Sequence, residues 1–119
     1  MIFMTIRDVK QILDAQLYCG EEILDRQVHS VCGSDLLSDV LAYVKDQSVL
    51  LTGMVNPQVV RTAEMMDMVC VVFVRGKEPD DAIIEMAKER DLVIMATPYR
   101  MFTACGLLYE AGLRGGGEK

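Results

Sequence analysis

Six residues of this chain combine the types and spacing needed to hold a small anion: Thr52, Gly53, Asn56, Arg75, Lys77 and Thr97. They stand at or just after the ends of apolar runs that read as strands, Ser48 to Thr52, Met68 to Val74 and Leu92 to Ala96. Each run is followed by a proline, Pro57, Pro79 or Pro98, that opens a stretch of helical periodicity. Hydroxyls and the unpaired N–H groups of a helix start donate to an anion, and Arg and Lys add fixed positive charge. Cations gain little from the positive end of a helix dipole, so Arg75 and Lys77 suit an anionic partner, a small metabolite or a nucleotide. The bland alternative is that all six are solvated turn and capping residues.

Other reactive residues form no catalytic set. Asp35 and Asp39 are one helical turn apart and could hold a divalent cation or work as an acid–base pair on a phosphate ester. The simpler reading has Asp35 complementing a helix dipole and Asp39 in solvent. His29 has no Ser or Cys arrangement that would make a triad, and a structural or exposed strand histidine fits it better. Gly76-Lys77-Glu78 lacks the G-x-x-x-x-G-K-[ST] spacing, which excludes a P-loop. Cys19, Cys32, Cys70 and Cys105 are widely separated with no C-x-x-C pair, so buried reduced thiols are expected in place of a metal site or disulfides. The expectation is no catalytic residue, no metal and no cofactor.

The elements that must position the six residues follow from the same punctuation. Proline is tolerated in the first helical turn because the N–H it lacks has no partner there, so the three prolines mark helix starts, with Asn56 and Thr97 as N-caps. Three strand-to-helix units in a row imply parallel strands with right-handed crossovers, and helix starts gathered at the carboxyl edge of one sheet. Met68 to Val74 is apolar without alternation, as a central strand covered on both faces should be. Upstream, Thr5 and Asp8 form a capping-box-like start to a helix with Ile6, Val9, Ile12 and Leu13 on one face. Ala15 to Cys19 and Gln27 to Val31 read as strands joined by a hairpin or bulged connection through Gly20 to Arg26. A helix beginning at Asp35, capped by Ser34, carries the stripe Leu36, Leu37, Val40, Leu41 and Val44. Tyr99 and Tyr109 read as packing residues with a wet hydroxyl end. Gly112 ends the last helix, leaving residues 1–113 as one domain and 114–119 as a flexible glycine-rich tail.

Composition bounds the rest. A length of 119 residues allows one core. A formal charge of -6 and a pI near 4.7 argue against nucleic acid, which needs a cationic surface. Apolar stretches all fall short of the ~18 residues of a membrane span. The N-terminus has no basic lead into a long apolar run, so a cytoplasmic protein is expected. Nine methionines and the continuous stripes of the helices at Asp35 and Pro98 leave apolar surface for a homodimer.

Read together, Ser34-Asp35-Leu36-Leu37-Ser38, Leu50-Leu51-Thr52-Gly53, Phe73-Val74-Arg75-Gly76-Lys77-Glu78-Pro79 and Ala96-Thr97-Pro98-Tyr99 resemble the DRTGG domain over nearly the whole chain. The resemblance implies a single three-layer α/β/α domain with a mostly parallel central sheet, related to the N-terminal domain of HPr kinase/phosphorylase. It implies a non-enzymatic regulatory or adaptor module with a tendency to dimerise, the partner enzyme unspecified. A purely structural protein-binding subunit is the alternative, with a small phosphate-ester hydrolase behind it. The chain departs from the family pattern in the loops that give the family its name. It reads Gly53-Met54-Val55 where many members carry Gly-Asp-Arg, and Val74-Arg75-Gly76 where they carry Thr-Gly-Gly, so no role of those family residues carries over.

Overall fold

The computed structural model describes residues 4–42 and 46–115. Val44 of the second stripe, and residues 116–119 of the expected tail, lie outside the described residues. Chain order is β1 (Met4–Thr5), α1 (Ile6–Ile12), β2 (Gln16–Cys19), a 3₁₀ turn (Glu21–Ile23), β3 (Gln27–Val28), β4 (Ser30–Gly33), α2 (Leu37–Val40), β5 (Ser48–Thr52), α3 (Pro57–Met65), β6 (Cys70–Phe73), α4 (Asp81–Glu89), β7 (Val93–Ala96) and α5 (Met101–Glu110).

The main sheet has the order β2-β7-β6-β5-β4, parallel from β4 through β7 and antiparallel only where β2 joins β7. The central strand is β6, as its unbroken apolar run requires, and all four of its residues are buried. Alternate side chains enter two cores. Val49, Leu51, Val72 and Met95 pack on the side of α1 and α5, while Leu50, Val71, Phe73 and Ile94 pack on the side of α3 and α4. This is the expected three-layer α/β/α arrangement with a mostly parallel sheet.

The expected link between the runs Ala15 to Cys19 and Gln27 to Val31 is corrected. No hairpin joins them: β2 lies at one edge of the sheet against β7, and the run Gln27 to Val31 breaks at His29. Before the break, β3 pairs with β1 in a separate two-stranded sheet. After it, β4 joins the far edge of the main sheet against β5.

Two of the three proline marks are also corrected. Pro57 does occupy the first helical position of α3, with the Asn56 side chain accepting the Gln58 N–H at 2.8 Å. Pro79 stands before the cap, because Asp80 takes the cap role by accepting the Ile83 N–H at 2.9 Å. Pro98 lies in a turn, and α5 begins three residues later with Arg100 as its cap residue. Thr97 is no N-cap, since it lies four residues before Met101, the start of α5; its buried hydroxyl donates inward to the Leu13 carbonyl at 2.5 Å and accepts the Tyr99 N–H at 3.3 Å in the intervening turn. The second helix begins at Leu37, with Leu36 as cap residue in extended conformation; Ser34 Oγ accepts the Leu36 N–H at 3.1 Å in a local turn. Val40 is buried in its stripe, but Leu36 and Leu41 are 56% and 49% exposed.

The ends of α1, α3, α4 and α5 share one device. A residue in the left-handed region follows the cap: Asp14 (φ 49°), Asp67 (φ 56°), Asp91 (φ 52°) and Gly112 (φ 114°). The next N–H then bonds back across the last turn, Ala15 to Lys10, Met68 to Ala63, Leu92 to Ala87 and Leu113 to Leu108, at 2.9–3.1 Å. This turn sends each chain directly into the next apolar segment, and Gly112 ends α5 as its sequence position implies. Arg114, assigned by sequence to the tail, is tied to the domain. Its carbonyl accepts the Val31 N–H of edge strand β4 at 2.9 Å, and its guanidinium lies 3.8 Å from the Tyr109 ring centroid.

Candidate functional site

The carboxyl ends of β5, β6 and β7 bring their loops together, and main-chain bonds lock the last two. Arg75 and Gly76 both take positive φ, 63° and 69°, and Lys77 N–H bonds Val74 C=O at 3.3 Å, closing a type I′ turn. Glycine adopts such a φ freely, whereas an arginine there costs about 1–2 kcal/mol. The Arg75 N–H, bonded to the Tyr99 carbonyl at 2.7 Å, and the Gly76 N–H, bonded to the Thr97 carbonyl at 2.9 Å, help offset that strain.

This turn aims the Arg75 side chain back over β5. A β-carbon at Gly53 would come within 2.6 Å of Arg75 Nη2, so the guanidinium rests against a surface that only glycine leaves open. Below it, Thr52 is fully buried, and its hydroxyl accepts the Met54 N–H at 3.1 Å and donates to Asp35 Oδ1 at 3.3 Å. The same carboxylate oxygen accepts the Gly53 N–H at 2.5 Å. Among the described residues no carboxylate lies within 4.0 Å of the Arg75 guanidinium, and Lys77 likewise has no ion pair.

Of the six sequence-predicted residues, the structure therefore joins Thr52, Gly53 and Arg75. Lys77 stays exposed one residue beyond the turn. Asn56 is committed to capping α3, and Thr97 contributes its carbonyl to Gly76 while its hydroxyl faces the core. Sequence reasoning missed the role of Asp35. The alternative pairing of Asp35 with Asp39 one helical turn apart does not form, because Asp35 precedes α2 and reaches across to β5 while Asp39 is exposed on α2. The parallel pairing of Gly33 with Leu51 sets the two strand ends level, which is the signal that would have placed Asp35 beside Gly53.

Nearby groups set boundaries on the site. A recess of ≈ 200 Å³ beside it is lined by Asp14, Gln16, Tyr18, Glu78 and Thr97, and its two carboxylates disfavour an anion there. The Tyr18 hydroxyl donates to Glu78 Oε1 at 3.2 Å; its pKa is raised by burial first, then by the Glu78 charge and hydrogen bond. His29, at the break between β3 and β4, is exposed and its Nδ1 contacts Asp46 at 2.9 Å. All four cysteines are described, none is in a disulfide, and burial raises the thiol pKa of Cys19, Cys70 and Cys105. Among the described residues no three His, Cys, Asp or Glu side chains are grouped to hold a metal, and no helix is long and apolar enough to cross a membrane.

Strand order, helices on both faces and loops gathered at the carboxyl edge define the class: an α/β/α domain with its candidate site at the strand ends. The DRTGG domain model matches residues 8–111, and the chain belongs to the DRTGG domain family. Among solved structures it is similar to the CBS and DRTGG domains of the regulatory region of Clostridium perfringens pyrophosphatase, a crystal structure in complex with the activator diadenosine tetraphosphate. The TM-score is 0.66 at 18% identity, over 84% of this chain and 44% of that one, so this chain spans less than half the length of its neighbour. At that identity the likeness carries the fold. No curated protein matches the chain.

Proposed function

We propose that this chain is a cytoplasmic, non-enzymatic regulatory or adaptor module that binds a small anionic ligand at the carboxyl ends of β5 and β6. The observation that carries the reading is the Arg75 guanidinium, held over Gly53 by a strained turn and without an ion-pair partner among the described residues of a chain of net charge -6. An exposed planar guanidinium laid over the buried Gly53 presents paired donors that fit phosphate or carboxylate. The presence of a DRTGG domain in a regulatory region crystallised with a polyphosphate activator supports a phosphorylated ligand. A thermal-shift screen with inorganic phosphate, phosphorylated metabolites and nucleotides tests this, since a ligand that binds only the native state raises the melting temperature. The Arg75→Ala, Lys77→Ala double variant should fold normally and lose most of the shift. An unchanged shift places the anion elsewhere.

The module is further proposed to form a homodimer through α5 and the edge of β4. Phe102 is 90% exposed and Tyr109 57% exposed, beside a groove of ≈ 410 Å³ lined by Val31, Gly33, Cys105, Gly106 and Leu113. An exposed aromatic next to an apolar recess is the composition of an association surface. The same surface favours the second reading, a structural protein-binding subunit; that reading moves ahead if no anion stabilises the chain.

A further inference from the structure

Asp35 and Arg75 both touch Gly53 without pairing with each other. The Asp35 contact is a hydrogen bond from the Gly53 N–H to Oδ1, and the Arg75 contact is the guanidinium against the α-carbon. Oδ1 also takes the Thr52 hydroxyl, whereas Oδ2 accepts no hydrogen bond among the described residues. Two opposite charges are thus held around one residue, more than 4.0 Å apart, each with hydrogen-bonding capacity left toward solvent.

We infer that this gap takes a phosphorylated sugar, with the phosphate on Arg75 and a sugar hydroxyl donating to Asp35 Oδ2. The inference rests on the anion-binding reading above and narrows it. An ionised carboxylate accepts hydrogen bonds and donates none, so Asp35 repels a bare anion and favours a donor. Inorganic phosphate satisfies Arg75 but meets the Asp35 charge. An unphosphorylated sugar satisfies Asp35 alone. A phosphate ester with free hydroxyls uses both groups, and the uncommitted Asp35 oxygen becomes a selectivity element instead of a penalty. The buried Thr52 hydroxyl and the Gly53 N–H hold that carboxylate in place, so its orientation exists before the ligand arrives.

Calorimetric titration of ribose 5-phosphate and of inorganic phosphate into the parent, Asp35→Asn and Arg75→Ala chains tests it. The parent should bind ribose 5-phosphate about tenfold or more tightly than inorganic phosphate, the contribution of one charge-assisted hydrogen bond. Asparagine keeps an acceptor for the Gly53 N–H and removes the charge. Asp35→Asn should therefore tighten inorganic phosphate while weakening ribose 5-phosphate, and a merely structural role would move both in one direction. Arg75→Ala should lose both ligands, and Gly53→Ala, whose β-carbon would meet the Arg75 guanidinium first, should do the same. Equal affinity of the parent for the two ligands, or a tenfold preference that survives Asp35→Asn, overturns the sugar-phosphate inference and leaves the anion site standing. If neither compound binds the parent, the anion reading itself fails.

Discussion

The guanidinium of Arg75 lies against the α-carbon of Gly53, closely enough that a β-carbon there would stand 2.6 Å from Nη2 and 3.3 Å from both Cζ and Nε. The group in the way is the far end of a flexible side chain, so Gly53→Ala displaces the arginine and spares the backbone. Gly53 is itself buried, but only the exposed Arg75 side chain has to give way, so the variant's stability should stay within about 0.5 kcal/mol of the parent. Its melting-temperature response to an anion should largely disappear. Melting curves with and without phosphate check both halves, and a full response in the alanine variant would remove Arg75 from the site.

Asp35→Ala should behave differently from Gly53→Ala. It leaves the Gly53 N–H without its acceptor next to the buried Thr52 hydroxyl, a loss of about 1–3 kcal/mol. Asp35→Asn retains an acceptor and should recover most of that loss. Denaturant titration of the two variants separates the hydrogen bond from the charge.

These residues also show what the sequence could and could not reveal. Local signals held: the Thr5–Asp8 capping box forms in both directions, at 3.0 and 3.2 Å, and Asn56-Pro57 starts α3 as written. The even apolarity of β6 identified the sheet centre because a strand covered on both faces has no polar side to alternate with. The errors lie where a partner is distant in sequence. Thr97 looked like a cap, but its hydroxyl partner, the Leu13 carbonyl, is 84 residues away. Asp35 looked like a helix start, but its partners Thr52 and Gly53 become neighbours only through the pairing of β4 with β5. Pro79 and Pro98 misled because a fixed φ near -65° suits the approach to a helix as well as its first turn.

The helix ends offer a stabilising substitution. Asp67 follows the α3 cap with φ 56°, which disfavours a side chain, and its carboxylate sits at the negative end of the helix dipole. Asp67→Gly removes both terms and should raise stability by about 0.5–1 kcal/mol, measured as an upward shift of the denaturation midpoint. A decrease would mean that the Asp67 side chain has a role beyond the turn.

Alkaline conditions should destabilise the fold through Cys70. Its thiol is buried in β6, and its pKa is pushed far above the ordinary value by desolvation first and by the nearby Cys19 second. The unfolded chain loses that proton above about pH 8.5 while the folded chain keeps it. The unfolded state then binds fewer protons, so stability is intact below that pH and falls as pH rises, by about 1.4 kcal/mol per unit for this one group. Cys70→Ala should flatten the slope above pH 9 in urea titrations. An unchanged slope would assign the alkaline loss to other groups.

Phe102 decides between a monomer and a dimer. At 90% exposure on α5 it contributes little to the folded chain, yet it stands beside the apolar groove formed with the edge of β4. A fully buried phenylalanine gains about 1.5–3 kcal/mol over an exposed one, and a two-fold interface would bury two copies. Phe102→Glu should therefore leave the circular dichroism spectrum intact and shift the chain from dimer to monomer in sedimentation at micromolar concentration. It should do so without changing the anion response, because Phe102 lies on the face of α5 toward Gly33 and Cys105 while the anion site is built from Asp35, Gly53 and Arg75. If the parent sediments as a monomer over a wide concentration range, the groove serves a different partner. If the glutamate variant remains dimeric, the interface lies on another face.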